Sequence, residues 1–267
     1  MDLKLHGKTA LITGASKGIG RTTALTMAGE GVSLYLAARS GDELETVKKE
    51  ILSKHKVKVE IRPGDLSTTE SMVQLANWAG AVDILFNNAG DIPGGPIEML
   101  SDADWRRGFD LKVFGYINLT REIYTRMKKR GSGVIINDIG NSGENWDYNY
   151  VAGSTGNAAV MSFTKAVGGV SLDYGVRVVG VNPGPIATNR MTRMMKLRAR
   201  ENLGDENRWQ EYLKDYPGGR MGTDQEVADL VTFLASPLAG YITGTIVTID
   251  GGIAGYGSII KPRPKKQ

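Results

Sequence analysis

The sequence predicts an α/β fold: one doubly wound domain around a seven-stranded parallel sheet. Three observations predict it. Short β-branched runs alternate with longer helical patterns along the whole chain. Most of the strand-like runs are apolar throughout rather than alternating, as expected when helices cover both faces of a parallel sheet. A glycine cluster separates the first such run from the first helical pattern. The 267 residues suit one large domain, and no linker, repeat or low-complexity stretch divides residues 1–267.

Thr9–Thr13 reads as the first strand and Arg21–Glu30 as the helix after it. Val32–Ala38 is the second strand, followed by a helix over Asp42–Lys54. Val57–Ile61, Val82–Phe86, Val134–Asn137, Val176–Val181 and Thr245–Ile249 complete the seven. A long helix is expected over Asn149–Asp173, its start rich in small residues. Crossovers of these lengths favour right-handed connections. One segment breaks the rhythm. Nearly forty residues, with Met191, Met194, Met195, Trp209 and Tyr212, separate Pro183-Gly184-Pro185 from a helix near Asp224. At the carboxyl end of a strand such an insertion reads as a substrate lid, about 188–218, although a helical pair that only packs on the core fits the same residues.

Composition excludes several classes of function. The chain has no cysteine and only two histidines, His6 and His55, so thiolate chemistry, disulfides and a histidine-based metal site or triad are not expected. No run of eighteen apolar residues implies a membrane span, and the start, Met1 to Gly14, lacks a signal-peptide pattern; a cytoplasmic protein is expected. The net charge of +4 is partly carried by a basic tail at 261–267, which reads as a flexible end. Only Arg190–Arg200 approaches a basic cluster, without the interleaved aromatics of a nucleic-acid surface.

The cluster Gly14-Ala15-Ser16-Lys17-Gly18-Ile19-Gly20 follows the first strand and opens the first helix. Glycines there let the backbone turn tightly and approach a pyrophosphate, which the helix N-terminus attracts. A dinucleotide site is the reading. At the end of the second strand an NAD ribose wants a carboxylate, whereas a 2′-phosphate wants cations. That strand ends Ala37-Ala38-Arg39-Ser40 with no acid, and Lys17 lies inside the glycine loop. NADP(H) is therefore favoured over NAD(H), unless both are ordinary surface cations.

Further motifs follow in order. Asp65-Leu66 comes after the third strand, Asn87-Asn88-Ala89-Gly90 closes the fourth, and Asn182 to Thr188 reads NPGPIAT. Gly222 to Ala228 and Ile242 to Gly252 complete the set. With Thr13-Gly14-x-x-x-Gly18-x-Gly20, these resemble the short-chain dehydrogenase/reductase family of Rossmann-fold oxidoreductases, over roughly residues 5 to 253. The resemblance implies cofactor contacts at Gly14, Ser16, Lys17, Gly18, Ile19, Gly20, Arg39, Asp65, Leu66, Asn88, Ala89, Gly90, Asn157, Pro183, Gly184, Ile186 and Thr188. It also implies a homo-oligomer, usually a homotetramer.

The same resemblance exposes a departure. The family uses a tyrosine as acid/base, a lysine four residues on, a serine for the substrate oxygen and an asparagine that anchors a proton relay. Gly133-Val134-Ile135-Ile136-Asn137 with Gly143 puts the serine position at Gly140, and the family's usual step then lands on Gly153. Counting back from Phe163-Thr164-Lys165 puts the lysine position at Asn157, while Lys112 takes the asparagine's place. Tyr148 and Tyr150 have Ala152 and Ser154 four residues on, and the Tyr124/Lys128 pair belongs to another helix. Tyr150, Tyr148, Ser142 and Asn141 are the nearest replacement groups, though any of them can equally pack or cap. Lys112 would return to the pocket the charge lost at Asn157.

Three readings fit these residues: an NADP(H)-dependent oxidoreductase with a non-standard, degenerate site acting on an unknown carbonyl or alcohol; a catalytically silent cofactor-binding protein or sensor; and a lyase- or isomerase-like reuse of the fold. Arg190, Arg193, Lys196, Arg198 and Arg200 flank the lid. They suit an anionic small-molecule substrate, or form the solvated face of a helix whose apolar stripe is Met191, Met194 and Met195. Neither nucleic acid nor membrane is an expected partner.

Overall fold

The computed structural model describes residues 2–256; the basic tail at 261–267 lies outside them. The seven strands are β1 (Thr9–Thr13), β2 (Ser33–Ala38), β3 (Val59–Pro63), β4 (Ile84–Asn87), β5 (Gly133–Asp138), β6 (Val176–Pro183) and β7 (Ile246–Ile249). They form one sheet in the order β3-β2-β1-β4-β5-β6-β7, all parallel. The helices are α1 (Gly18–Gly29), α2 (Gly41–Lys54), α3 (Thr69–Ala79), α4 (Asp102–Phe109), α5 (Gly115–Arg130), α6 (Val151–Ser171), α7 (Asn189–Leu203) and α8 (Asp224–Ala235).

Strand side chains alternate between two cores, which is why most of the strands read as apolar on successive residues. On one face Ala10, Ile12, Leu34, Leu36, Phe86 and Val181 meet Met27 of α1, Ile51 of α2 and Val231 of α8. On the other, Leu11, Leu85 and Ile135 meet Leu75 of α3 and Ile123 of α5. The order reverses between β1 and β4, so their connections leave in opposite directions and open a crevice at the carboxyl ends.

Several boundaries move from their sequence-based positions. α1 begins at Gly18 rather than Arg21, because the last two loop glycines are already its first turn. β3 runs two residues later than expected, pairing through Ala38↔Pro63; an edge strand tolerates a proline without an N–H to donate. β6 extends through Pro183, and α6 stops at Ser171 before a short 3₁₀ turn. The expected lid is α7 followed by 3₁₀ turns at Glu206–Asp215 and Pro217–Gly219. Its stripe is corrected: Met195 and Ala199 are buried while Met194 is exposed, so α7 packs with a spacing of four.

A buried polar ladder ties the carboxyl ends together. Asn87 Nδ2 donates to Asn137 Oδ1 (2.9 Å) and Thr120 Oγ1 (3.1 Å), and Asn137 Nδ2 donates to Thr164 Oγ1 (2.9 Å). Four elements, β4, β5, α5 and α6, are cross-linked through these side chains in addition to the backbone ladder between β4 and β5. Replacing Asn137 by Ala strands two buried partners, so urea unfolding should show a loss of about 1–3 kcal/mol; a loss below about 0.5 kcal/mol would contradict this role.

Candidate functional site

The crevice opens over the glycine loop as a cleft of about 870 Å³. Gly14 (φ +65°) and Gly18 (φ +51°) occupy the left-handed region, where a side chain is strained. A Cβ on Gly20 would stand 2.5 Å from Asn88 Nδ2 and overlap the Gly14 carbonyl. Glycine is therefore obligatory where α1 turns back against β1. Asn88 fixes the turn by donating from Nδ2 to the carbonyls of Thr13 (2.9 Å) and Gly14 (3.1 Å). Thr13 Oγ1 accepts from the N–H groups of Asn88 (2.9 Å) and Ala89 (3.0 Å).

The start of α1 is left open. A side chain caps each of α2, α3, α4, α7 and α8: Ser40, Thr68, Ser101, Thr188 and Thr223 accept from backbone N–H groups. Lys17, at the same position of α1, supplies no such cap. Nor do Phe114, where α5 continues a π-helical turn, and Tyr150 at the start of α6, but α1 alone of the three begins at the glycine loop. The first N–H groups of that helix therefore face a cleft that Gly18 and Ile19 themselves line. Uncapped N–H groups at the positive end of a helix dipole suit an anion, and a pyrophosphate fits this cradle.

Of the residues expected to hold the cofactor, the cleft gathers Gly14, Ser16, Lys17, Gly18, Ile19, Arg39, Leu66, Asn88, Ala89, Gly90 and Thr188. Six others do not line it. Gly20 backs Gly14. Asp65 is turned onto Ser67, accepting from its hydroxyl (2.8 Å) and N–H (3.1 Å). Gly184 packs on Asp250, Ile186 joins the apolar core, and Pro183 and Asn157 are buried at the strand ends and in α6. The motif-based reading missed Ser40, Glu43 and Asp91 as lining residues, along with Arg193. Arg193, one of the lid's basic residues read as facing an anionic substrate or solvent, lines the same cleft as the glycine loop.

The cations at the cleft's ribose end are counterbalanced. Lys17 Nζ lies 2.5 Å from Glu43 and Arg39 Nη2 lies 3.5 Å from Asp91. The bond from Lys17 holds the Glu43 carboxyl below its ordinary value. Both cations are well exposed, and exposed pairs contribute little, about 0–1 kcal/mol. An arriving phosphate displaces such carboxylates at small cost.

Beyond the cleft, at the ends of β4 and β5, Lys112, Gly140, Gly153 and Asn157, the four positions that motif spacing matched to the family's catalytic residues, have distinct surroundings. Lys112 sits in a π-helical turn, Asp110–Phe114, between α4 and α5. It is buried, donating from Nζ to the carbonyl of Asp138 and to Tyr116 Oη (2.9 Å). Its stem packs under Gly90, whose Cβ would stand 3.0 Å from Cδ. The expectation of a cation returned to the pocket is thus corrected: Lys112 does not line the cleft and staples the strand ends from beneath. Asn157 Nδ2 donates to Ser142 Oγ (2.8 Å) and lies 2.8 Å from where a Cβ on Gly140 would be. Two other replacement groups turn elsewhere. Tyr148 is exposed and donates to Glu98 (3.0 Å), and Asn141 Nδ2 reaches towards Asp250 (3.4 Å). Tyr124 packs in the core flanked by α5, and Lys128 lies over the Tyr174 ring.

Asp138 was not foreseen as a site residue; a carboxylate closing an otherwise apolar strand was the available signal. Burial pushes its carboxyl up to about 6, against the pull of the Lys112 charge.

An open sheet with an uncapped first helix over a glycine cradle defines a dinucleotide-binding oxidoreductase fold. The chain belongs to the short-chain dehydrogenase family, whose description matches residues 8–199. It is 33% identical over 260 residues to the 3-oxoacyl-acyl-carrier-protein reductase of Aquifex aeolicus, covering 95% of this chain and 100% of that one. It is 32% identical over 254 residues to the NADPH-dependent reductase BacG of Bacillus subtilis, covering 92% and 97%. Among solved structures, L-sorbose reductase of Gluconobacter frateurii, complexed with NADPH and L-sorbose, superimposes with a TM-score of 0.88 at 30% identity over 95% of this chain and 98% of that one.

The raised Asp138 group gives a pH test. Its folded pKa, about 6, lies above the ordinary value of 3.8, so its contribution is fully present below about pH 4 and is lost as pH rises through 6. Unfolding free energies of Asp138→Asn and the parent should diverge in the variant's favour across that window, by roughly 2–3 kcal/mol. A difference independent of pH would contradict the burial.

Proposed function

We propose that this protein is an NADP(H)-dependent oxidoreductase that interconverts a carbonyl and an alcohol on a small molecule, using a non-standard set of proton-handling groups. The observation that carries the reading is the uncapped α1 N-terminus over an obligatory glycine cradle, with Lys17, Arg39 and Ser40 at the ribose end of the same cleft. The relatives described as an NADPH-dependent reductase and as an NADPH complex support the same direction.

The cofactor supplies the hydride when bound. The chain's own part is to hold the pyrophosphate at the Gly18 and Ile19 N–H groups and to offer Lys17 and Arg39 to a 2′-phosphate. Arg193, on α7, gives the lid segment a cation directed to the dinucleotide as well as to an anionic substrate. A homo-oligomer accords with the exposed apolar side chains Val170, Leu172 and Tyr174 at the end of α6. No helix among the described residues is long and apolar enough to cross a membrane.

Fluorescence titration of the purified protein with NADPH and NADH tests the reading. NADPH should bind at least tenfold more tightly than NADH. Arg39→Ala should weaken NADPH roughly 10–100-fold, the worth of one charge-assisted contact, and leave NADH within about threefold. Equal loss for both cofactors would contradict the 2′-phosphate assignment, and binding of neither at millimolar concentration would contradict the function.

A further inference from the structure

Gly153 and Tyr150 share one space. A Cβ built on Gly153 would stand 2.5 Å from Tyr150 Cδ1 and overlap Cε1 and Cζ. The hydroxyl-bearing edge of the ring therefore lies where a side chain at 153 would begin. On its other side the ring is met by the loop after β4, Cδ2 standing 3.9 Å from a Cβ on Gly94. The phenol is held in a slot between two glycine backbones.

The backbone carrying it is tied on both sides. Gly95 N–H donates to the Asn149 carbonyl (2.8 Å), and Gly95 and Tyr150 form a bridge. Tyr150 N–H donates to the Asp147 carbonyl (3.0 Å), and the Tyr150 carbonyl accepts from Ser154 N–H (2.9 Å). One turn after Gly153, the Asn157 amide reaches Ser142 Oγ beside Gly140. The ring thus lies against the turn of α6 that precedes the Asn157–Ser142 pair.

Two further phenols lie nearby, each with its own partner. Tyr148 is turned out to Glu98. Tyr116 is buried, and its hydroxyl donates to the Asp138 carbonyl (2.9 Å). Ser142 is too weak an acid for the role, but with its oxygen accepting from Asn157 its own hydrogen can be donated to a substrate oxygen.

We propose that Tyr150 is the proton donor and acceptor of this active site, delivered from one turn earlier into the space that glycine leaves at position 153. The inference rests on the oxidoreductase reading above. In reduction, a hydride from the reduced nicotinamide forms the new C–H bond at the carbonyl carbon, and the carbonyl π-bond electrons move to oxygen. That oxygen takes the Tyr150 proton, leaving oxidised cofactor, an alcohol and a phenolate that regains its proton from water. Oxidation reverses each transfer.

Two readouts on the full-length protein test the proposal. The first is thermal unfolding. Gly153→Ala forces a methyl into the ring and should lower Tm by about 3–8 °C. The same change in a Tyr150→Ala background should lower it by less than about 1 °C further. Equal losses in both backgrounds would overturn the shared space. The second is oxidation of NADPH by a panel of simple carbonyls including ethyl acetoacetate and 2,3-butanedione, with NADPH affinity measured alongside. Tyr150→Phe should retain the fold and bind NADPH within about threefold of the parent, yet lower kcat at least about 100-fold. A Phe variant that keeps more than half the parent's kcat would show the ring to be a packing plug and overturn this inference alone. A parent that binds NADPH but reduces no member of the panel would instead overturn the oxidoreductase reading, and this assignment with it.

Discussion

The contact of Gly20 with the carbonyl of Gly14 decides the geometry of everything above the sheet. With no Cβ between them, α1 starts within a few residues of the end of β1, and its first N–H groups come level with the crevice. Asn88, from the neighbouring strand's end, holds both carbonyls of that turn. β1 and β4 are thereby locked at the point where strand order reverses. Moving either would close the cleft or cap the helix.

A second constraint governs the other end of the crevice, where this chain buries charge. Lys112 and Asp138 lie under the strand ends, the ammonium bonded to backbone and phenol and the carboxyl raised by burial. Buried charge is costly unless bonded, so these groups persist because the π-helical turn and the end of β5 hold them together. Lys112 ties the end of β5 to α5 through the Asp138 carbonyl and the Tyr116 hydroxyl. Tyr150 stands at the start of α6, Asn157 in its second turn and Ser142 in the loop before it; glycine at 140 leaves room for the Asn157 amide and glycine at 153 for the Tyr150 ring.

Much of this was legible in the residues. Short β-branched runs marked all seven strands, and the continuous apolar ones marked their parallel sense, because burial on both faces leaves little polar alternation in the central strands. The glycine loop, Asn88 and Arg39 were legible because backbone strain and charge are properties of residue type. Other features depended on packing. Tyr148 and Tyr150 are equivalent hydroxyls two residues apart in sequence. Only the missing Cβ at Gly153 and the bridge to Gly95 turn one inward and leave the other on Glu98. Arg193 was legible as a basic helix residue, but its orientation follows from the spacing of four at which Met195 and Ala199 bury α7. Asp138 escaped notice because a polar residue at a strand's end is ordinarily the start of a loop.

The central claim is that a dinucleotide cradle of the family kind still serves hydride transfer after the usual proton-handling side chains have been replaced. The most direct measurement uses NADPH deuterated at both C4 positions, incubated with the protein and the carbonyl panel, with products analysed by mass spectrometry. The account predicts one deuterium on the carbinol carbon of at least one product. Tight cofactor binding with no deuterium transferred to any product would contradict it.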